Sequence, residues 1–239
     1  MKKKSGNKRG NGKEFWNAEY KDGGHLALST GVSEDLEKFI RFMERESGHK
    51  HLNVIASVLD LGCGNGRNLI WMSENFAMRG IGFDVSTEAI SQAKKRSAEL
   101  GLPLTYEARS IAGPLPVPDS SQTFVLDMMT SHFLKKAERE MLIEECYRVL
   151  KPGGFLFYKT FLLDEDRHAY RMLKENPSDE ENTYIHPEIG VPEHVSTEEE
   201  IQETYGRRFH IHKVHKSHRH RGENAKRRSI VIYAEKPAY

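Results

Sequence analysis

Apolar residues fall along this chain in two alternating rhythms. Short runs at 54–61, 79–84, 104–108, 123–129 and 154–161 read as buried strands. Between them, apolar positions recur at helical spacing over about 66–76, 86–100 and 135–150. Strands alternating with amphipathic helices predict an α/β fold of parallel βαβ units with right-handed crossovers. Ahead of this core, Ser33 is placed to cap a helix reaching about Glu46. Leu36, Phe39, Ile40 and Met43 share one face of it, and Gly48 stops it. Phe15, Trp16 and Tyr20 cluster before a Gly23-Gly24 turn. After the core, a helix near 164–176 ends at Asn176-Pro177. An acidic, proline-containing loop follows, and Ser196 with Glu199 makes a capping-box pattern for a helix to about Tyr205. Two closing runs, 208–216 and 228–235, predict an antiparallel hairpin.

Composition narrows the class. A chain of 239 residues suits one α/β domain. Its 36 Lys+Arg nearly cancel 35 Asp+Glu, so net charge makes no case for nucleic acid. The distribution of charge is more informative. Residues 1–13 are rich in Lys, Gly and Asn, cannot bury a core, and predict a disordered basic tail. Residues 207–228 are dense in Arg, Lys and His. They read either as a phosphate-contacting surface for RNA or a phosphorylated substrate, or as a solvated edge that discourages sheet-to-sheet pairing. Cys63 and Cys146 form neither a disulfide framework nor a zinc spacing. No apolar run reaches the length of a membrane span, and the basic N-terminus lacks the apolar segment of a secretory signal. The expectation is a cytoplasmic protein with no membrane partner.

The chemistry concentrates at Asp60-Leu61-Gly62-Cys63-Gly64-Asn65-Gly66, a strand-to-helix turn with glycine at alternate positions. Glycine there lets the backbone bend and a ligand approach the main chain. Dinucleotide sites carry G-x-G-x-x-G and seat a pyrophosphate on the helix N-terminus. Here the third glycine comes one residue early, which suits a ligand without a pyrophosphate. Asp60, at the tip of the first strand, is placed to orient the turn and reach a cationic group. Asp84, at the tip of the second, is placed to accept hydrogen bonds from ribose hydroxyls, or else only to cap the next helix.

These residues resemble motif I and the ribose-binding acid of class I S-adenosylmethionine-dependent methyltransferases, the broad group that includes the ubiquinone-biosynthesis enzymes. Leu115-Pro116-Val117-Pro118-Asp119 resembles the segment before that family's fourth strand, and Leu150-Lys151-Pro152-Gly153-Gly154 the turn before its fifth. The resemblance covers about residues 54–161. It implies a Rossmann-like seven-stranded sheet, order 3-2-1-4-5-7-6, with strand 7 antiparallel and helices on both faces. It divides the chain into a tail at 1–14 and one domain at 15–239. Within that domain, 15–50 would form a lid and helix, and 177–206 a substrate-side insertion. The implied cofactor is S-adenosyl-L-methionine, with S-adenosyl-L-homocysteine as product. The implied cofactor residues are Trp16 and Tyr20 in the lid, and Asp60, Gly62, Cys63, Gly64, Asn65, Gly66 and Asn68 at the first turn. Asp84 and Val85 follow β-strand two, Ser110 and Ile111 strand three, and Asp127 and Met128 strand four. Two departures stand out: Ser110 occupies the place of the usual adenine-binding acid, and Gln122-Thr123 replaces the usual Phe-Asp.

Methyl transfer from a sulfonium is an in-line displacement, for which the protein supplies alignment and a water-poor site. A base is needed only where the nucleophile must lose a proton. His132 and Tyr158 are the candidate catalytic side chains, within a stretch Asp127–His132 and the end of strand five; Lys159 is expected at the same mouth. His186, Glu188, Glu193 and His194 fit no compact metal motif and read as a solvated loop. The acceptor is expected to be a small molecule. RNA, reached through the basic tail and hairpin, and a non-catalytic cofactor-binding module are the alternatives.

Overall fold

A computed structural model describes residues 12–23, 28–217 and 227–238. The elements run α1 (Gly12–Asp22), α2 (Glu34–Ser47), β1 (Ser57–Leu61), α3 (Arg67–Phe76), β2 (Arg79–Asp84), α4 (Thr87–Glu99), β3 (Leu104–Ala108) and β4 (Gln122–Met128). A 3₁₀ turn at Ser131–Phe133 follows. Then come α5 (Lys136–Val149), β5 (Leu150–Phe161), α6 (Arg167–Glu175), β6 (Thr183–Ile185), β7 (Pro192–His194), α7 (Glu198–Gly206), β8 (His210–Lys216) and β9 (Ser229–Glu235).

Seven strands form one sheet in the order β3-β2-β1-β4-β5-β9-β8, and β6 and β7 pair separately as a ribbon. Only β9 runs against its neighbours. Counting sheet strands alone, this is the expected 3-2-1-4-5-7-6 order with the seventh antiparallel.

The period of two along each strand sorts the core into two layers. Val58, Phe124, Phe157 and Tyr233 face α2, α3 and α4, meeting Phe39, Met43, Leu69 and Ile90. Leu59, Val125, Leu156 and Ile232 face α5 and α7, meeting Leu142, Cys146 and Ile201. The face a strand residue takes therefore decides which layer it serves, and this parity recurs at the strand ends.

Several boundaries move for local reasons. Val54 and Ile55 are exposed rather than in β1, because Asn53 closes a turn: its side chain donates to His49 and Lys50 and accepts from the Ile55 N–H. The cap of α7 is Thr197, whose hydroxyl accepts from the Glu200 N–H, one residue later than the Ser196–Glu199 pattern. Ser196 is instead tied to β5 through the Phe161 carbonyl. α1 already begins at Gly12, inside the expected tail. The rest of that tail, Gly24 of the expected turn, and residues 218–226 of the basic hairpin lie outside the described residues. The largest correction is in 177–195. It is not a solvated loop but the β6–β7 ribbon, with Tyr184, Glu193 and His194 buried.

Candidate active site

The parallel strands end on one edge, where open α/β sheets bind ligands. There β1 passes into the glycine turn. Gly62, Gly64 and Gly66 hold φ of 75°, 55° and 76°, the left-handed region that favours glycine. The Gly62 and Cys63 N–H groups donate to the Phe83 carbonyl at 2.7 and 2.9 Å, tying the turn to β2. Asp84 completes the tie: its carboxylate accepts from the Gly64 N–H at 2.9 Å and the Ser86 N–H at 2.8 Å. Ser86 itself caps α4 by accepting from the Ala89 N–H. Asp84 is thus free of the capping role and lies on the cleft wall.

The cleft encloses about 280 Å³. Asp60, Gly62, Cys63, Gly64, Asn65 and Asn68 form its floor. Asp84, Val85, Ile111 and Met128 form its sides. Trp16 and Tyr20 of α1 cover it. A side chain at Gly64 would collide with the Tyr20 hydroxyl, and one at Gly62 with Thr130. α1 is docked by one amide: the Asn17 side-chain oxygen accepts from the Ser86 and Thr87 hydroxyls and the Glu88 N–H. Gln92 adds a bond to the Tyr20 carbonyl at 2.6 Å.

Three expected cofactor residues lie elsewhere. Gly66 sits outside the cleft; a Cβ there would meet Tyr106 at 2.7 Å and Ala93 at 3.0 Å, so this glycine serves close packing of β3 and α4 behind the turn. Ser110 turns away, its hydroxyl accepting from the Ala112 N–H. Asp127 lies on the opposite sheet face from Asp60, by the parity of β4, and accepts from the Ser131 N–H. Tyr158 shares that opposite face: it pairs in register with Asp127 and stacks on Tyr205 at 4.5 Å, away from the cleft. Lys159 is held by Asp35 at 2.6 Å. The cleft gains residues without an assigned role in the sequence reading: Leu28, Ser29, Arg67, Arg109 and Phe133. Arg109 sits one position before Ser110, its guanidinium 5.2 Å from the Phe83 ring. Its backbone N–H donates to the Asp84 carbonyl, and its side chain pairs with Glu107 at 3.4 Å.

Burial sets the electrostatics. Asp60 is 1 % exposed, one carboxylate oxygen has no hydrogen-bond partner, and burial with the nearby Asp84 charge pushes its pKa up to about 7. Burial also raises Asp84, opposed by the N–H groups it accepts from. A buried carboxylate with an unmet oxygen calls for a cation or donor. These residues therefore fit a ligand with a positive group near Asp60 and hydroxyls near Asp84.

Beyond the cleft, Phe133 packs on His132 at 4.2 Å. His132 is 2 % exposed, neither ring nitrogen has a partner, and burial drops its pKa to about 4. The ribbon packs over this turn. Its Glu193 accepts from the Tyr184 hydroxyl and from Arg227, and His186 lies 3.8 Å away. Burial opposes the charged form of Glu193, but its cationic and hydrogen-bonding neighbours, Arg227 and Tyr184 among them, outweigh it and hold the carboxyl below its ordinary value. Of the residues weighed as a metal set, Glu193 pairs with Arg227, and His194 reaches Glu200 at 2.7 Å.

A methyltransferase-domain family model matches residues 58–154, the stretch that builds the turn, the two acids and the strands around them. Over that stretch the chain carries a methyltransferase domain, and it is similar to S-adenosylmethionine-dependent methyltransferases. Among curated relatives, phosphoethanolamine N-methyltransferase 3 of Arabidopsis thaliana is 30% identical over 163 residues, 64% of this chain and 31% of that one. A ubiquinone biosynthesis O-methyltransferase of Paraburkholderia xenovorans is 33% identical over 118 residues, 47% of each chain. The chain spans about a third to a half of the length of the first curated relatives it matches. A solved S-adenosylmethionine-dependent methyltransferase from Methanosarcina mazei aligns with a TM-score of 0.67 at 25% identity, over 80% of this chain and 97% of that one. S-adenosylmethionine is the family's cofactor. Among the described residues, no helix is long and apolar enough to cross a membrane.

Proposed function

We propose that this chain transfers a methyl group from S-adenosylmethionine to a small-molecule acceptor. The observation that carries the reading is the unpartnered, buried oxygen of Asp60, in the same cleft as Asp84 and the left-handed glycine turn. Asp60 would take the cofactor's amine, and Asp84 its ribose hydroxyls. Val85 and Ile111 would flank the adenine, and Met128 the sulfur end. Bound there, S-adenosylmethionine supplies an electrophilic methyl group. Trp16 and Tyr20 exclude water above it, and Phe133 separates it from His132. His132 remains neutral through physiological pH, with a ring nitrogen free to receive a proton from the acceptor.

The curated relatives named above act on small molecules by their printed names, phosphoethanolamine and a ubiquinone precursor pathway. The charge distribution supports the same acceptor class. Among the described basic residues of the closing hairpin, Arg207 pairs with Glu203, Arg208 with Glu144, Lys216 with Glu198, and Arg228 with Glu165. Cations neutralised this way offer little to a phosphate backbone. The test is incubation with methyl-labelled cofactor and separated pools of small molecules, lipid, protein and RNA. Label is expected in the small-molecule pool; label confined to RNA would overturn the acceptor assignment. No calorimetric binding of the cofactor would overturn the reading as a whole.

A further inference from the structure

Cofactor contacts account for the cleft but leave the polar cluster beyond Phe133 without a ligand. The topology explains how that cluster arises. β9 is antiparallel, so its first residue, Ser229, pairs with Phe161 at the end of β5. The chain just before β9 therefore stands at the ligand-binding edge, and it delivers Arg227 there. The Arg227 guanidinium lies 3.2 Å from the centre of the Phe161 ring, and the His132 ring lies 5.2 Å from that same ring. Phe133 touches His132 and also walls the cofactor cleft. One continuous partition of Phe133, His132 and Phe161 thus runs from the cofactor cleft to Arg227.

The bonding capacity left over at this partition centres on Arg227. Arg227 gives one nitrogen to Glu193; its Nε and second terminal nitrogen are buried without a partner. Both nitrogens of His132 are likewise unmet. Glu193 takes both Tyr184 and Arg227 on Oε1, and its Oε2 lies 3.8 Å from His186. Unmet donors on a permanent cation match an oxygen-rich anion, in the fork geometry guanidinium makes with carboxylate or phosphate. The Arg227 side chain is 19% exposed, although its two unmet nitrogens are buried.

We propose that Arg227 forms an acceptor subsite for an anionic group, a phosphate ester or a carboxylate carried by the methyl acceptor. This rests on the methyltransferase reading above. The subsite would anchor the far end of the acceptor while its nucleophile points past Phe133 toward the cofactor.

The test uses the full chain loaded with S-adenosylhomocysteine, whose own affinity is measured first. Calorimetric titrations then compare O-phosphoethanolamine and inorganic phosphate, benzoate and acetate, and ethanolamine as the uncharged-oxygen control. At least one anion is expected to bind and ethanolamine is not; the phosphate and carboxylate arms tell the two sources apart. Arg227→Gln with Glu193→Gln removes both charges together, so neither is left buried alone. It should weaken anion binding at least tenfold and leave S-adenosylhomocysteine affinity unchanged, while Arg227→Lys retains measurable anion binding. S-adenosylhomocysteine binding without anion binding, equal affinity for ethanolamine and O-phosphoethanolamine, or unaltered anion affinity in the double variant would overturn the subsite alone. Failure of the unaltered chain to bind S-adenosylhomocysteine would overturn the methyltransferase reading and the subsite with it.

Discussion

On the proposed reading, the two halves of this active site are built by different means. The donor half, at the tips of β1 and β2, is made largely of backbone: a left-handed glycine turn cross-tied by Phe83 and Asp84. The acceptor half, at the tips of β4, β5 and β9, is made of side chains from separate segments: His132, Phe161, Glu193 and Arg227. Backbone geometry is specified by local sequence, so the donor half tolerates little change. A side-chain cluster is specified by topology, and can change its chemistry without disturbing the turn.

The strongest challenge to that contrast is Gly64→Val. At φ 55° with Tyr20 against the missing Cβ, a branched side chain has no room. Cofactor binding should be lost, while far-UV circular dichroism stays near that of the unaltered chain. Retained binding would mean the turn does not approach the ligand. Next, His132→Gln should lower the transfer rate by about 10²-fold, as for loss of a positioned base. Its cofactor affinity, measured separately, should not move; a joint loss would show that the halves are not independent. Asp84→Ala comes third. Losing charge-assisted hydrogen bonds of about 1.5–3 kcal/mol each should weaken cofactor binding by at least about tenfold in calorimetry. Unchanged affinity would sink the ribose assignment.

Asp60 gives a graded test through pH. Its pKa of about 7 in the folded chain exceeds the ordinary value of an unfolded aspartate, so the folded state holds the proton more tightly. Stability without cofactor should therefore fall as pH rises from about 4 to 7, and Asp60→Asn should flatten that part of the melting-temperature profile. Cofactor binding should run the other way. The ionised carboxylate is the form that takes an amine, so affinity should drop up to about tenfold per unit below pH 7. Arg67, Asp84 and Asp127 act on the same carboxyl, and a pH-independent affinity would show that Asp60 does not meet the cation. The smallest effect is expected from Asn17→Ala. Loss of the amide that docks α1 should cost about 1 kcal/mol, a several-fold weaker cofactor affinity read by calorimetry.

The sheet and the donor turn were legible in the sequence because both write themselves into neighbouring residues. Period-two runs marked the strands, and the spacing of Gly62 and Gly64 with Asp84 marked the turn. Legibility failed where meaning depends on which face a residue takes. Asp127 and Met128 are adjacent, yet only Met128 reaches the cleft, because one step along β4 crosses the sheet. Tyr158 failed for the same reason. Gly66 matched the motif but serves packing against Tyr106 and Ala93. The ribbon was hidden more deeply: Glu193 looked like one acid in a polar loop, and nothing local announces Arg227 as its partner 34 residues on.

The docking of α1 carries a kinetic consequence. On the proposed reading, the roof over the cofactor is a single short helix anchored at Asn17 and Gln92, with Tyr20 resting on the turn below it. The used cofactor then cannot depart until that helix lets go. Residence time of the product would be set by a handful of hydrogen bonds, well away from the methyl group, and the pace of repeated turnover would be written in α1 rather than in the chemistry beneath it.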